Sequence, residues 1–443
     1  MNSDATVDNN DLTTRVILCA PASFGEIPRV IREVFGSDAT ALVVADDNTW
    51  AAAGSAVQKA LEAGSIRTCR PFLFPGSPML HPDMKSVALL RAHLERGRFL
   101  PVSVGAGTVN DIVKRASHEA GIPYLTVPTA ASVDGYTSFG AAVLSDGFKT
   151  TLECPAPAAV VCDTDVLRAA PRAMTASGYA DLAGKVTAGV DWRIAEALGI
   201  EAVHAAAWEM VQKPLRGQLA APRAIAAGDG EALKALMDGL VGSGLAMQAY
   251  RSSRPASGAE HLLSHVWEMQ GLSVDGVPVS HGFKVGVGTL AVTAFMEQLF
   301  AGKGGLPADA KPGSWKAWEE REEAVRAAYG GTSLEGPVLA ACRAKQLTRP
   351  RHEERLERIR QAWPRMREAV ETLLVPFDDM KRMLADAGCP VHPRSLGVSP
   401  QGLADTLRRA QMIRPRYTVL DMAYEMGVLD GLIEAVVSSP RYF

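Results

Sequence analysis

Leu100–Ala120 reads LPVSVGAGTVNDIVKRASHEA. Its opening run, Leu100–Val104, is short and almost wholly apolar, the pattern of a strand buried on both faces. Gly105-Ala106-Gly107 follows, and then Val109–Ala120 has helical spacing. A strand that turns through glycines into a helix is the repeating unit of a parallel α/β sheet. Glycines let the backbone turn sharply and approach a ligand closely. The helix N-terminus behind them offers free N–H groups and a positive dipole end, suited to a pyrophosphate. Asn110 stands where the third glycine of G-x-G-x-x-G would fall, so the motif alone reads equally as a plain strand-to-helix turn.

The same alternation extends on both sides. Val16–Ala20, Ala41–Ala45, Cys69–Phe74 and Tyr124–Val127 read as strands. Phe24–Phe35, Thr49–Ala63 and Met84–Arg96 read as helices between them. A hairpin follows, Gly140–Leu144 with Phe148–Glu153, and a last strand, Ala158–Cys162. Beyond Asp163 the strand signal almost vanishes. Amphipathic stretches take over, among them Ala176–Leu198, Glu201–Lys213, Glu231–Arg251, Ala259–Met269 and Val285–Phe300. The expected architecture is an α/β N-terminal domain with a Rossmann-like parallel sheet over residues 15–165, then an all-α domain over 166–443. Residues 1–14 are polar and read as a disordered lead-in. Ala301–Gly313 and Cys389–Pro400 read as connecting loops. The mixed-charge run Arg343–Arg367 reads as a solvated helix face.

The chain has 443 residues, 47% hydrophobic and 21% charged, with a formal net charge of -3. That balance gives no reason to expect nucleic-acid or membrane binding. Its six cysteines form no C-x-x-C pair, which removes zinc ribbons and thioredoxin-like motifs. The N-terminus lacks a basic segment followed by an apolar one, and no apolar run is long enough for a membrane span. A cytoplasmic protein with reduced thiols is expected.

Two further strand ends belong beside Gly105. Asp46-Asp47-Asn48 closes an early strand, where an acid can accept hydrogen bonds from a ribose and repel a 2′-phosphate. It serves equally well as the N-cap of the next helix. Thr129-Ala130-Ala131-Ser132-Val133-Asp134-Gly135 follows another strand, and ligands of open α/β sheets bind at such carboxyl ends.

The second half carries three of the nine histidines in one segment, His261, His265 and His281. His261 and His265 are spaced i, i+4 and share a helix face. Neutral imidazoles brought together in this way can converge on a divalent transition metal. The candidate carboxylate is Asp181 in Gly178-Tyr179-Ala180-Asp181-Leu182-Ala183-Gly184-Lys185, which reads also as an acid placed near a helix start. A zincin is excluded, because Leu262 follows the first histidine where that chemistry needs glutamate. His265 therefore reads as facing substrate from one turn away, or as an ordinary helix histidine.

Taken together, GAGTVNDIVK, TAASVDGYTS, GYADLAGK, SGAEHLLSHVWEM and SHGFKVGVGTL resemble the sn-glycerol-1-phosphate dehydrogenase family, its bacterial arabinose-operon-type branch most of all. That family sits with iron-containing alcohol dehydrogenases, glycerol dehydrogenase and dehydroquinate synthase. The resemblance runs from about Val16 into Arg416–Asp421. It implies metal-dependent, NAD(P)H-linked interconversion of dihydroxyacetone phosphate and sn-glycerol 1-phosphate, with a glycerol or polyol dehydrogenase or a dehydroquinate synthase-like lyase as the rival readings on the same scaffold. It implies one divalent ion, Ni²⁺ or Zn²⁺ rather than Fe²⁺, on Asp181, His261 and His281. It places NAD(P) on Asp46 and Asn48, on Gly105, Gly107, Thr108, Val109, Asn110 and Asp111, on Thr129, Ala130, Ala131 and Ser132, and on Ser138. It places catalysis and the phosphorylated polyol on His265, Asp134 and Asp181. Lys149 and Lys185 are the candidates for the substrate phosphate, and surface lysines are the plain reading of both. A homo-oligomer is expected. Two departures stand out. Ala131 and Val133 occupy the places of the family's proline and methionine. Lys185 stands where some iron-type enzymes carry a further histidine ligand.

Overall fold

The computed structural model describes residues 12–145, 148–302 and 315–443. Nine strands lie in the first part of the chain. They are β1 (Val16–Ala20), β2 (Thr40–Asp46), β3 (Arg67–Thr68), β4 (Phe72–Phe74), β5 (Leu100–Gly105), β6 (Leu125–Pro128), β7 (Ala141–Ser145), β8 (Phe148–Leu152) and β9 (Ala159–Asp163). All but β7 and β8 form one sheet in the order β1-β9-β6-β5-β2-β3, with β4 also on β2. Every pairing in it is parallel. β7 and β8 make a separate antiparallel hairpin.

The side-chain period of two explains why these strands are apolar throughout. Ala41, Val43 and Ala45 of β2 pack on one face with Ile27, Val30, Val57 and Leu61. Leu42 and Val44 pack on the other with Val87, Leu90, Ile112 and Val113. Both faces are covered by helices, so neither can be polar. The topology leaves β6, β5 and β2 as neighbours, and their carboxyl ends, Pro128, Gly105 and Asp46, fall side by side.

The chain divides into two compact units. The first holds the sheet together with residues 204–256, which form the helices Ala205–Leu219, Pro222–Ala227 and Gly230–Tyr250. The second is helical and holds most of the chain beyond Ser257. The long helix Arg172–Ala197 belongs to both, Leu182 being the last residue of one stretch and Ala183 the first of the other. Among the described residues no helix is long and apolar enough to cross a membrane.

Several elements differ from the sequence reading. The helix expected to stop near Lys213 runs from Ala205 to Leu219 through Pro214. Val211, Leu215 and Leu219 keep an i, i+4, i+8 stripe buried, which offsets the missing hydrogen bond of the proline. The helix expected from Val285 begins at His281, because the Ser280 hydroxyl caps it by accepting from the N–H of Phe283. The loop before it is a small hairpin, Ser273–Val274 with Val277–Pro278, turned at Asp275-Gly276. Both turn residues have positive φ, 50° and 77°, the Asp-Gly signature of a tight hairpin turn. Leu429–Val437 and Glu335–Lys345 are further helices that the sequence reading omits. Arg349–Leu373 is not only a solvated face, since His352, Ile359, Trp363 and Met366 are buried on one side of it. Residues 1–11 of the expected 1–14 lead-in and most of Ala301–Gly313 lie outside the described residues, while the end of the lead-in is ordered, with Thr14 buried and its hydroxyl donating to the Pro157 carbonyl.

Candidate metal and cofactor site

On the nucleotide side, the helix Gly107–Glu119 starts at the carboxyl end of β5 with Ala106 extended at its N-cap and no side-chain cap. Its first N–H groups therefore keep their donors for a ligand, which suits an anion at the dipole's positive end. The side chains of Val109 and Asn110 point the other way and are buried. Asn110 Nδ2 donates to the carbonyls of Gly135 and Tyr136, and its Oδ1 accepts from Tyr124. Thr108 and Asp111 are half-buried on the same helix. The N–H of Thr129 donates to the Gly105 carbonyl at 3.2 Å, tying the two loops together. Ala130 accepts from the Tyr136 hydroxyl, and Ser132 lies 3.4 Å from the same hydroxyl. Asp46 caps the helix beginning at Asp47, its Oδ1 accepting from the N–H of Thr49 at 2.7 Å. The Asn48 side chain rests against Gly76.

A residue the sequence reading missed holds this loop. Lys114 is fully buried, and its Nζ donates to the carbonyls of Gly135, Ser138 and Gly140 and to the Ser138 hydroxyl. Burial pushes its pKa down, and Asp111 partly offsets that. Ser138, expected at the cofactor, spends its hydroxyl on this lysine and on Gly135. The signal was legible: Asn110, Lys114 and Ser117 are polar positions on a face that must be buried.

The Arg172–Ala197 helix then carries the carboxylate. A Cβ on Gly178 would stand 2.0 Å from the Ala131 carbonyl oxygen, so only glycine allows this approach to the Thr129–Gly135 loop. Three residues on, Oδ2 of Asp181 accepts the main-chain N–H of Asp134 at 3.0 Å. Next comes Gly184, where a Cβ would lie 2.8 Å from Val285 and 3.2 Å from Glu260. The helices bearing His261 and His281 thus close on the turn that follows Asp181. Lys185, one turn beyond Asp181, is completely buried and is no surface lysine. The Lys149 side chain lies outside what the structure describes.

Asp181, His261 and His281 each bring one donor atom within 4.8 Å of the other two. Asp181 and His261 are buried, and His281 is half-buried. Each imidazole is anchored behind by a glutamate. His261 Nδ1 lies 2.7 Å from Glu260 Oε1, and His281 Nδ1 lies 2.7 Å from Glu268 Oε1. Glu260 also accepts from the Thr187 hydroxyl and the Gly258 N–H, and Glu268 pairs with Lys284 at 3.4 Å. Burial would raise the Glu260 carboxyl, but the hydrogen bond and charge of His261 outweigh it and leave the pKa lowered. A glutamate facing Nδ1 favours the tautomer in which that nitrogen carries the proton, which makes Nε2 the ring nitrogen suited to a metal ion. Two imidazole nitrogens and one carboxylate oxygen suit a divalent transition ion and leave coordination positions open.

The His265 ring centroid is 6.3 Å from that of His261 and 6.4 Å from that of His281. Its Nδ1 is buried without a hydrogen-bond partner among the described residues. Burial holds its pKa well below the ordinary value, so the ring is neutral. Behind these helices Asp191 fixes the start of the His261 helix. Its Oδ2 accepts from the N–H of Ala259 and its Oδ1 from the N–H of Val419, both at 2.7 Å. Glu260, Glu268 and Asp191 were not singled out from sequence, although each is an acid inside an otherwise apolar helix.

A nucleotide-type sheet edge followed by a helical Asp-His-His cluster defines the class of metal-dependent alcohol dehydrogenases. Residues 19–171 match the iron-containing alcohol dehydrogenase model. Glycerol dehydrogenase from Schizosaccharomyces pombe shares the fold, with a TM-score of 0.62 and 15% identity over 95% of this chain and 90% of that one. Glycerol-1-phosphate dehydrogenase [NAD(P)+] from Bacillus velezensis is 31% identical over 88% of this chain and 86% of its own length. The enzyme of that name from Geobacillus thermodenitrificans is 30% identical over 95% of both. The chain belongs to the glycerol-1-phosphate dehydrogenase family of the iron-containing alcohol dehydrogenases.

Proposed function

We propose that this protein interconverts dihydroxyacetone phosphate and sn-glycerol 1-phosphate with NAD(P)H and one divalent metal ion. The observation that carries the reading is the convergence of Asp181, His261 and His281, each imidazole backed by its own glutamate. Family membership supplies the reaction. In this reading residues 15–165 carry the nucleotide, and 166–443 carry the metal and substrate.

Asp181, His261 and His281 would hold the ion, and Ni²⁺ or Zn²⁺ fits a donor set of two nitrogens and one oxygen. When bound, the ion supplies Lewis acidity at the substrate oxygen and the nicotinamide supplies the hydride. Glu260 and Glu268 fix the ring orientation and tautomer of the two histidines. The uncapped N–H groups at Gly107 and Thr108 receive the pyrophosphate. Asp46 receives the ribose with the carboxylate oxygen not used on Thr49. Asp134, placed by its main-chain bond to Asp181, orients the substrate. His265, neutral and with a free ring nitrogen, is positioned to hold the proton that the alcohol gains or loses. Lys185 and Lys149 are the proposed partners of the substrate phosphate. The same reading includes a cytoplasmic homo-oligomer, which light scattering of the purified protein would check.

The test is a substrate and cofactor screen on protein reloaded with Ni²⁺ or Zn²⁺. NADH or NADPH should be oxidised with dihydroxyacetone phosphate, and the product should be the sn-1 enantiomer. Oxidation with unphosphorylated dihydroxyacetone alone, or none with either ketone, would sink the assignment.

A further inference from the structure

The helical unit contains a cavity of about 170 Å³ whose lining includes none of the metal-site residues. Four cationic side chains face it, Lys316, Arg321, Lys345 and Arg355, against two acids, Asp421 and Glu425. Both acids are already engaged. Asp421 takes Lys345 at 2.6 Å, Gln411 at 2.8 Å and the N–H of Thr418 at 2.9 Å. Glu425 takes Arg355 at 3.1 Å and the Tyr417 hydroxyl at 2.6 Å.

Arg321 is different. It is only 3% exposed. Its Nη2 donates to Gln411 at 3.0 Å, and its guanidinium lies 4.2 Å from the Tyr424 ring centroid. Its Nη1 is buried and finds no hydrogen-bond partner among the described residues. Lys316 reaches over the same tyrosine ring at 5.4 Å and forms no ion pair among the described residues. A buried guanidinium with an open donor is costly unless something supplies an acceptor. Guanidinium and ammonium groups together are the usual receptors for carboxylate and phosphate oxygens.

We propose that this cavity binds a small oxyanion, a phosphate or carboxylate group on a molecule of a few carbons, with Arg321 and Lys316 as its charge partners. The site shares no lining residue with the metal group and lies in the same unit as His261 and His281. Tyr424, Asp421 and Glu425 sit on the helix Val419–Glu425. Asp191 ties the first N–H of that helix to Ala259, which opens the His261 helix. Arg416 bonds the carbonyl and hydroxyl of Ser257 just before it. An anion drawn against Arg321 therefore bears on the segment that fixes His261.

The test is calorimetric titration of the metal-loaded protein with inorganic phosphate and, separately, with acetate, at constant ionic strength. Wild type, Lys316→Ala, Arg321→Met and Arg321→Lys are compared. At least one anion should bind wild type, and its Kd should rise about tenfold or more in Lys316→Ala and in Arg321→Met, with Arg321→Lys between. Which anion binds identifies the group recognised. Lys316 is exposed, so its variant keeps the test open if Arg321→Met fails to fold. Binding of neither anion, or equal binding by wild type and Lys316→Ala, would overturn the proposal.

Discussion

The main-chain N–H of Asp134 donates to Oδ2 of Asp181 at 3.0 Å, joining a loop at the sheet's carboxyl edge to a residue of the metal group. One carboxylate oxygen is thereby engaged in positioning the loop beside the metal group. The arrangement depends on Gly178, whose lack of a side chain lets the helix reach Ala131.

Gly178→Ala should accordingly act on the loop before it acts on the metal. The new methyl would meet a backbone oxygen, which cannot rotate away, so the loop or the helix must shift. A loss of roughly 1–3 kcal/mol or more is expected in urea unfolding. The KM for NAD(P)H should rise while metal content stays near wild type. Unchanged stability and KM would show that the loop does not depend on this approach.

Glu268→Gln tests the anchoring of His281. The glutamate lies 2.7 Å from Nδ1 and makes the ring more basic toward a metal. Its neutral amide should weaken metal affinity about 10–100-fold, measured by competition with a chelator. Excess metal should restore most of the activity. An affinity equal to wild type would remove Glu268 from the site.

His265→Ala separates a substrate contact from a metal ligand. The ring stands beside the cluster but outside the group of converging donors. Metal content should remain near one ion per chain, while kcat falls about 10²–10⁴-fold. Loss of the ion on substitution would make His265 a ligand and contradict the assignment.

Stability should depend on pH through Glu425. Burial, partly offset by Arg355 and Tyr417, raises its pKa from 4.5 to about 7. Because the folded value is the higher one, its contribution is fully present below pH 4.5 and is lost as pH rises through about 7. The difference corresponds to about 3 kcal/mol. Glu425→Gln should flatten the decline in urea-unfolding free energy between pH 5 and 8. An identical slope in the variant would mean the carboxyl titrates normally.

Much of this is legible in the order of the amino acids. The apolar, non-alternating runs around Val43 and Val102 required a sheet covered on both faces, because a polar residue at either period would be buried. Asp181 enters the expected ligand set only through the family resemblance, whereas the i, i+4 pair His261 and His265 and the Gly105–Asp111 turn are visible as residue types in spacings that their chemistry needs. These are local properties, encoded by periodicity of two or 3.6 and by the conformational range of glycine.

What the sequence could not determine was which distant groups meet. Glu260 and Glu268 look alike as acids in a helix, and only packing shows that each faces the Nδ1 of a different histidine. Lys114 stands on a helix face that must be buried, but only the fold shows which four acceptors close around it. Arg321, Gln411 and Tyr424 are up to 103 residues apart (424 − 321) and become one cavity wall through helix packing. Contacts between residues far apart in the chain are paid for by burying surface across the whole unit, so they follow from tertiary structure and not from any local pattern.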